Sequence, residues 1–451
     1  MEVESWLVRA ASARPEHPAL RTAAGDWSYA QLHAAARSGA AELAARGVAR
    51  ADRVAIALPA GLGFAQALHA CLLLGAVAVP VDLRLSPTER AQIAEGAVAL
   101  VDRPLAEDHP SLGVALPSTH ELDAIAVVIH TSGTTAAPRP VELTYGNFLW
   151  SALGSAVALG LDPEERWLCT MPLAHVGGLS ILLRSAIYAT TAVVHERFET
   201  ERVLGALQAG EVTLVSLVAT TLARLLDSMP THPARLPALR CALTGGGPVG
   251  EALVRRAHAA GVPVSLTYGL SESCSQATTT PVAASSPEGE IADAPASAGT
   301  PLFCTQLRIA EDGEILLAGP TVAPGALAAD GWLHTGDLGE LDERGRLRVS
   351  GRKADTIVSG GENVAPAEVE AVIEAHPRVL EAAVLGRADP QWGEAVTAIV
   401  VTREGVKLDA EELRAHCAVA LAPYKVPKRF VPTTEPLPRT RSGKLLRREL
   451  Q

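Results

Sequence analysis

The sequence predicts an α/β protein of two domains, a large one over residues 1–351 and a small α+β one over 352–451. Three observations carry this. Strand-length apolar runs alternate with helical patterns along most of the chain, which implies sheets covered by helices. At 451 residues the chain is too long for one ordinary core, and length alone suggests about two or three domains. Near Gly351 a strand ends in a turn rich in glycine, and the roughly 100 residues beyond it suffice for a core of their own.

Taken in order, Arg53 to Leu58 reads as a strand, Phe64 to Leu74 as a helix and Ala76 to Val81 as a second strand. No charged side chain lies between Val54 and Val81, a pattern that also suits a membrane span. Pro59, Gly61, Gly63, Gln66, His69 and Pro80 interrupt it, so strand, turn, core helix and strand is the expectation. The alternation returns at Ala192 to His195, Val203 to Ala209 and Thr213 to Val218. Further on, the run Leu347 to Asp355 leaves a strand for the turn. Behind Pro366, Val369, Val372 and Ile373 have helical spacing, while Val379 to Leu385 and Ala395 to Val401 read as strands. Asp409 and Glu412 have the spacing of a capping box and open a helix with Leu413, Cys417 and Leu421 on one face.

Hydrophobic residues make up 48% and charged residues 20%, as in folded globular proteins. The net charge of -11 argues against a nucleic-acid partner, and the basic run from Lys425 to Arg448 reads as a solvated face. Six cysteines, scattered without C-x-x-C spacing, suit neither a disulfide framework nor a zinc site. The acidic N-terminus lacks the pattern of a secretory signal. A cytoplasmic protein without a membrane span is the expectation.

Five stretches carry chemistry, each with a plainer competing reading. Thr131-Ser-Gly-Thr-Thr-Ala-Ala-Pro-Arg-Pro-Val141 follows the apolar run Ala124 to Ile129; its donors can meet a polyphosphate and Arg139 adds charge, or it is a Ser/Thr-rich surface turn. Leu243-Thr-Gly-Gly-Gly-Pro248 lets a flat group such as adenine approach the backbone, or is a plain loop. In Leu266-Thr-Tyr-Gly-Leu-Ser-Glu272, Tyr268 can stack on a base, Ser271 bond a phosphate and Glu272 hold Mg²⁺; a buried Tyr and a solvated Glu are the alternative. Asp330-Gly-Trp-Leu-His-Thr-Gly-Asp337 ends in a carboxylate suited to ribose hydroxyls, with Arg352 beyond the next strand, or is a turn. Pro438-Arg-Thr-Arg-Ser-Gly-Lys-Leu-Leu-Arg447 offers Lys444 to an anionic leaving group, or is a basic tail.

In this order and at these separations the stretches resemble the superfamily of acyl-CoA synthetases, peptide-synthetase adenylation domains and luciferases, from about Trp27 to the C-terminus. The resemblance implies a large domain of layered α/β subdomains, a small mobile C-terminal lid, and two half-reactions using ATP, Mg²⁺ and a thiol, most simply coenzyme A. It assigns Thr131, Ser132, Gly133, Thr134, Thr135 and Arg139 to the phosphates, and Gly245, Gly246, Gly247 and Tyr268 to adenine. It gives Ser271 to the α-phosphate and Glu272 to the metal. Asp337 and Arg352 fall to ribose, Lys444 to adenylation, and His175, in Met171-Pro-Leu-Ala-His-Val-Gly-Gly178, to the gate of the acyl and thiol channels. Ala136 and Arg139 stand where the family has glycine and lysine, Ala354 stands where many members have a hinge Asp or Lys, and Ala318 to Asp330 is short.

Within the superfamily, Leu173 to Tyr188 followed by His195-Glu-Arg-Phe198 is most similar to the o-succinylbenzoate–CoA ligases of menaquinone synthesis. Such an acid carries a second carboxylate, for which Arg184 is the candidate partner; a structural ion pair at Arg184 is the competing reading. Another aryl- or acyl-CoA ligase, or a domain loading a carrier protein, is the alternative function. Small molecules are the expected partners, with room for a homo-oligomer.

Overall fold

The computed structural model describes residues 1–109, 116–131, 139–229, 235–282, 297–359, 362–403, 409–439 and 445–450. Their contacts divide the chain into two compact units, one of Met1–Val249, Val254–Leu307 and Leu317–Leu333, the other of Gly250–Leu253, Arg308–Leu316 and His334–Gln451.

The first unit is built on two mixed sheets. In the larger, of nine strands, six run parallel in the order Val264–Tyr268, Cys241–Thr244, Leu214–Leu217, Arg166–Cys169, Thr191–Val194 and Pro18–Thr22. Antiparallel strands close both of its edges. The smaller sheet runs Ala99–Val101, Arg53–Ile56, Val77–Pro80, Ile125–Thr131 and Arg139–Thr144, parallel except for the last.

The uncharged stretch after Val54 folds as expected. Between Arg53–Ile56 and Val77–Pro80 lies the helix Leu62–Leu74, and every residue from Phe64 to Leu74 is buried. A helix apolar all round must be covered on all sides; this one belongs to a continuous core with Trp6, Leu43, Tyr145 and Phe148. No helix among the described residues is long and apolar enough to cross a membrane. The strand Thr191–Val194, the helix Thr200–Gln208 and the strand Leu214–Leu217 match the second alternation. All six cysteines are free thiols.

The second unit holds most of a four-stranded sheet, Gln306–Ile309, Glu314–Ala318, Leu333–Leu341 and Leu347–Arg352. It also holds a five-stranded sheet in which Gly393–Thr402 lies between Val379–Asp389 and Arg429–Thr433. The helices Pro366–Glu374 and Ala410–Ala420 supply Val369, Ile373, Leu413 and Cys417 to its core. One local expectation is only half met. Asp409 caps its helix by accepting the Glu411 N–H, but Glu412 does not reach back to complete a box. Its carboxylate is engaged instead by Arg378 at 2.9 Å and faces His376 at 3.4 Å, because a cationic partner outbids a neutral backbone donor.

Candidate functional site

In parallel sheets the carboxyl ends of the strands all open on one side, where ligands bind. The sequence places its candidates there. Gly245 follows Cys241–Thr244, and Gly269 follows Val264–Tyr268, the adjacent strand. His175 comes after Arg166–Cys169, as the residue preceding the helix Val176–Tyr188.

The glycine run and the Tyr268 segment touch. A Cβ on Gly245 would lie 2.6 Å from the Thr267 carbonyl oxygen and 2.7 Å from Thr267 Cγ2, so only glycine permits this approach. The turn after Tyr268 closes as tightly, since a Cβ on Gly269 would fall on the Ser275 carbonyl. Ser271 and Glu272 are half-buried in that turn. Cys274 and Ser275 follow at φ 52° and 89°, two successive non-glycine residues in the left-handed region, a strain found where a loop is held for function. The Glu272 carbonyl accepts the Ala323 N–H at 2.8 Å, while its carboxylate has no partner among the described residues. Among the described residues no group of three or more potential ligands forms either. One unpaired carboxylate suits Mg²⁺, which is ordinarily held by one or two carboxylates together with substrate phosphates.

Arg184 lies beneath the same turn. Its side chain is buried on the helix Val176–Tyr188, and Nη2 donates to Ser151 Oγ at 3.0 Å, which donates in turn to the Cys274 carbonyl at 2.7 Å. The guanidinium lies 5.5 Å from the Trp167 ring centre, and burial draws its pKa down. The structural ion pair weighed from the sequence is not formed: among the described residues Arg184 meets no carboxylate, and Nε has no partner.

The smaller sheet opens toward the same place. Ala78 pairs with Val127 in parallel, so Asp82 and Thr131 end at matching levels. Arg84 binds Asp82, and its Nη2 lies 3.1 Å from His175 Nε2. The same Nε2 faces Asp82 Oδ2 at 3.7 Å, so a donor and an acceptor both border that ring nitrogen. Burial pushes the Asp82 carboxyl up, but the Arg84 bonds outweigh it and hold it below its usual value. Thr131 pairs across a hairpin with Arg139, whose side chain is exposed. Ser132, Gly133, Thr134 and Thr135, in the connection between those strands, lie outside the described residues, as does Lys444.

In the second unit, Asp337 and Arg352 occupy one rung of the ladder between Leu333–Leu341 and Leu347–Arg352. Arg352 Nε lies 2.7 Å from Asp337 Oδ1, and the carboxylate is largely buried.

The AMP-binding enzyme family model matches residues 7–101 and 96–327, and its C-terminal domain model matches 368–444. The chain belongs to the AMP-binding enzyme family. Among its relatives, the 2-succinylbenzoate–CoA ligase of Bacillus subtilis is 38% identical, covering 100% of this chain and 98% of that protein. The enzyme of the same name from Geobacillus sp. is 35% identical over 100% and 97%. A solved structure of the Bacillus subtilis o-succinylbenzoate CoA synthetase with the acyl-adenylate intermediate OSB-AMP aligns at TM-score 0.90 and 37% identity, covering 100% of this chain and 98% of that one. Its complex with ATP and magnesium ion aligns at 0.89 and 37%, covering 100% of both chains.

Sequence reasoning missed several residues in this AMP-binding enzyme. Asp82 and Arg84 carried a signal, a charged pair directly after a buried strand. Ser151 and Trp167 carried none, since a helical Ser and a strand Trp read as ordinary packing. Glu314, which accepts the Gly336 N–H at 2.9 Å beside Asp337, opens the strand Glu314–Ala318 and read as an ordinary strand residue.

Proposed function

We propose that the protein is an AMP-forming acid–thiol ligase that converts a carboxylic acid and ATP to acyl-AMP and pyrophosphate, then passes the acyl group to coenzyme A. Its substrate in this reading is o-succinylbenzoate, and its place is menaquinone synthesis in the cytoplasm. The buried Arg184, which meets no carboxylate among the described residues, carries the choice of acid. An isolated buried charge is costly, and a second carboxylate on the substrate supplies the missing counter-ion. The relay from Arg184 through Ser151 ends on the Cys274 carbonyl, in the turn that also bears Ser271 and Glu272, and in this reading the reacting end of the acid meets that turn.

The remaining roles in this reading are those the family resemblance implies. Thr131 to Thr135 and Arg139 receive the β- and γ-phosphates; Gly245, Gly246, Gly247 and Tyr268 form the adenine wall; Asp337 and Arg352 take the ribose. Glu272 is the protein's ligand to Mg²⁺, which when bound neutralises the phosphate oxygens. Lys444 stabilises charge in the adenylation step, and His175, fixed by Arg84, borders the acyl and thiol channels. The unit carrying residues 352–451 acts as the lid. ATP–pyrophosphate exchange across a panel of carboxylic acids, followed by addition of free coenzyme A, tests the reading. Exchange with o-succinylbenzoate and release of its CoA thioester are expected. Preference for a monocarboxylate overturns the substrate, and refusal of free coenzyme A in favour of a carrier protein overturns the acceptor.

A further inference from the structure

The paired Asp337 and Arg352 are flanked by a third residue that bonds the chain neighbour of each. Glu314 is buried at 7% exposure at the start of the strand Glu314–Ala318, next to the strand that carries Asp337. Its two oxygens reach in different directions. Oε1 accepts the Gly336 N–H at 2.9 Å, the peptide immediately before Asp337. Oε2 accepts from Lys353 Nζ at 3.0 Å, the residue immediately after Arg352, and lies 3.6 Å from His334 Nδ1. Lys353 is held a second time by Asp312 Oδ2 at 2.6 Å. The backbone at Asp337 is tied down once more, its N–H donating to Thr335 Oγ1 at 3.1 Å while that hydroxyl donates to the Ile315 carbonyl at 2.7 Å.

A buried carboxylate would be ruinous without partners, and here both oxygens are used. Burial pushes the Glu314 carboxyl up, but the Gly336 N–H and the Lys353 ammonium outweigh it and hold it below its ordinary value. The arrangement has a geometric consequence. Gly336 stands at φ 69° inside the strand Leu333–Leu341, so the backbone that aims Asp337 is kinked away from plain extended strand, and such a kink keeps its direction only if something holds its N–H. One carboxylate therefore holds both the kink that aims the ribose acid and the residue that anchors the end of the Arg352 strand.

We propose that Glu314 is a positioning residue for nucleotide binding, acting through Asp337 and Arg352 on recognition of the ribose hydroxyls, with Lys353 as its second arm. This rests on the reading of Asp337 and Arg352 as the ribose contacts. A site held within about half an ångström by supporting hydrogen bonds discriminates its ligand, whereas a slackened one does not.

The test is the dissociation constant of the full-length protein for ATP and for 2′,3′-dideoxy-ATP, each with Mg²⁺, measured calorimetrically so that no acyl substrate enters. The wild type is expected to prefer ATP. Glu314→Gln keeps an acceptor for Gly336 and loses the charge that holds Lys353; it should weaken ATP about tenfold while leaving dideoxy-ATP within about twofold. Lys353→Met, at a half-exposed side chain, should move the ratio the same way without disturbing the interior. In an Asp337→Asn background neither substitution should cost anything further, since non-additivity marks residues that act through one another. Equal weakening of both nucleotides by Glu314→Gln and Lys353→Met, or losses that multiply with Asp337→Asn, overturn the proposal. If Asp337→Asn itself leaves the preference for ATP intact, the ribose reading falls and takes this inference with it; if only the Glu314 and Lys353 variants leave it intact, the inference falls alone.

Discussion

Arg184 and Ser151 are joined by a hydrogen bond of 3.0 Å between two helices, and no carboxylate among the described residues shares the guanidinium. A buried arginine in this state is a cost to the fold that a ligand can repay. Arg184→Leu should therefore leave the melting temperature equal or higher, since burying an apolar side chain in place of an unpaired charge is neutral or stabilising. For o-succinylbenzoate it should lower kcat/KM by about 30- to 1000-fold, the scale for removing one member of a buried charge pair. A neutral aryl acid should be nearly unaffected. A variant that melts early and loses both acids alike would return Arg184 to a structural role.

Glu272 supplies a carboxylate with no protein partner among the described residues, so Glu272→Gln breaks no contact among them. Its expected effect falls on the metal, because the amide keeps the shape and loses the charge that holds a hard cation. Exchange of pyrophosphate into ATP, titrated with Mg²⁺, should need on the order of tenfold more metal. An unshifted Mg²⁺ curve would assign the ligand to another carboxylate.

What the sequence revealed and what it concealed divide along physical lines. The helix Leu62–Leu74 was legible because an uncharged stretch of that length broken by Pro and Gly has few other ways to be buried. The Gly245 and Tyr268 stretches were legible because close backbone approach demands glycine, and the structure brings them into contact at Thr267. The sheet that carries Asp337 was harder to see. Its strand Gln306–Ile309 alternates between exposed and half-buried residues, which leaves almost no hydrophobic period to read. Glu314 and the competition that takes Glu412 from Asp409 depend on partners 20 or more residues away, which local spacing does not encode.

The histidines inside the first unit give the fold an acid limit. Burial lowers His69 and His120 from the ordinary 6.5 to about 4. The His120 ring stacks on Tyr145 at 4.3 Å, and its Nε2 accepts the Trp6 backbone N–H. Between those pH values the unfolded chain binds protons that the folded chain refuses, so stability falls as pH drops from about 6.5 to about 4. Each site contributes up to about 3 kcal/mol at the lower end, and the two sum to less because they interact. Melting temperature followed from pH 8 to pH 4 should decline below about 6.5, and His120→Phe, which keeps the ring stack, should flatten that decline whatever it does to the plateau. An unchanged slope in the variant would mean His120 charges in the folded state.

Lys444 follows Ser442 and Gly443 in a segment whose flanks are pinned. Arg439 and Leu445 form a bridge across it, and Arg447 binds both oxygens of Glu370 at 2.6 and 2.7 Å. Lys444 itself lies outside the described residues; a cation brought to the site in one conformation stabilises developing charge in one half-reaction only. Lys444→Ala should slow acyl-AMP formation by about a hundredfold or more while transfer of preformed acyl-AMP to coenzyme A changes little. Comparable losses in both steps would remove Lys444 from adenylation chemistry.

The three glycines after Cys241–Thr244 are not equivalent, and their differences isolate the nucleotide's contribution. Alanine at Gly245 would drive a methyl into Thr267 on the neighbouring strand, an overpacking that costs about 1–3 kcal/mol. Gly246 stands at φ 78°, where any side chain adds about 1–2 kcal/mol of backbone strain. Around Gly247 an added Cβ meets nothing within 4 Å. Gly245→Ala is thus expected to lower the melting temperature by several degrees and to weaken ATP as a consequence. Gly247→Ala should melt with the wild type and still bind ATP more weakly, because no described residue lies within 4 Å of the new methyl, whereas a ligand seated there would collide with it. Titration of both variants with ATP and with pyrophosphate separates the possibilities: an adenine ring against Gly247 makes the loss specific to ATP, whereas equal losses for both ligands would place phosphates there instead. If Gly247→Ala binds ATP as the wild type does, the adenine wall is formed by other residues and the assignment of this glycine falls.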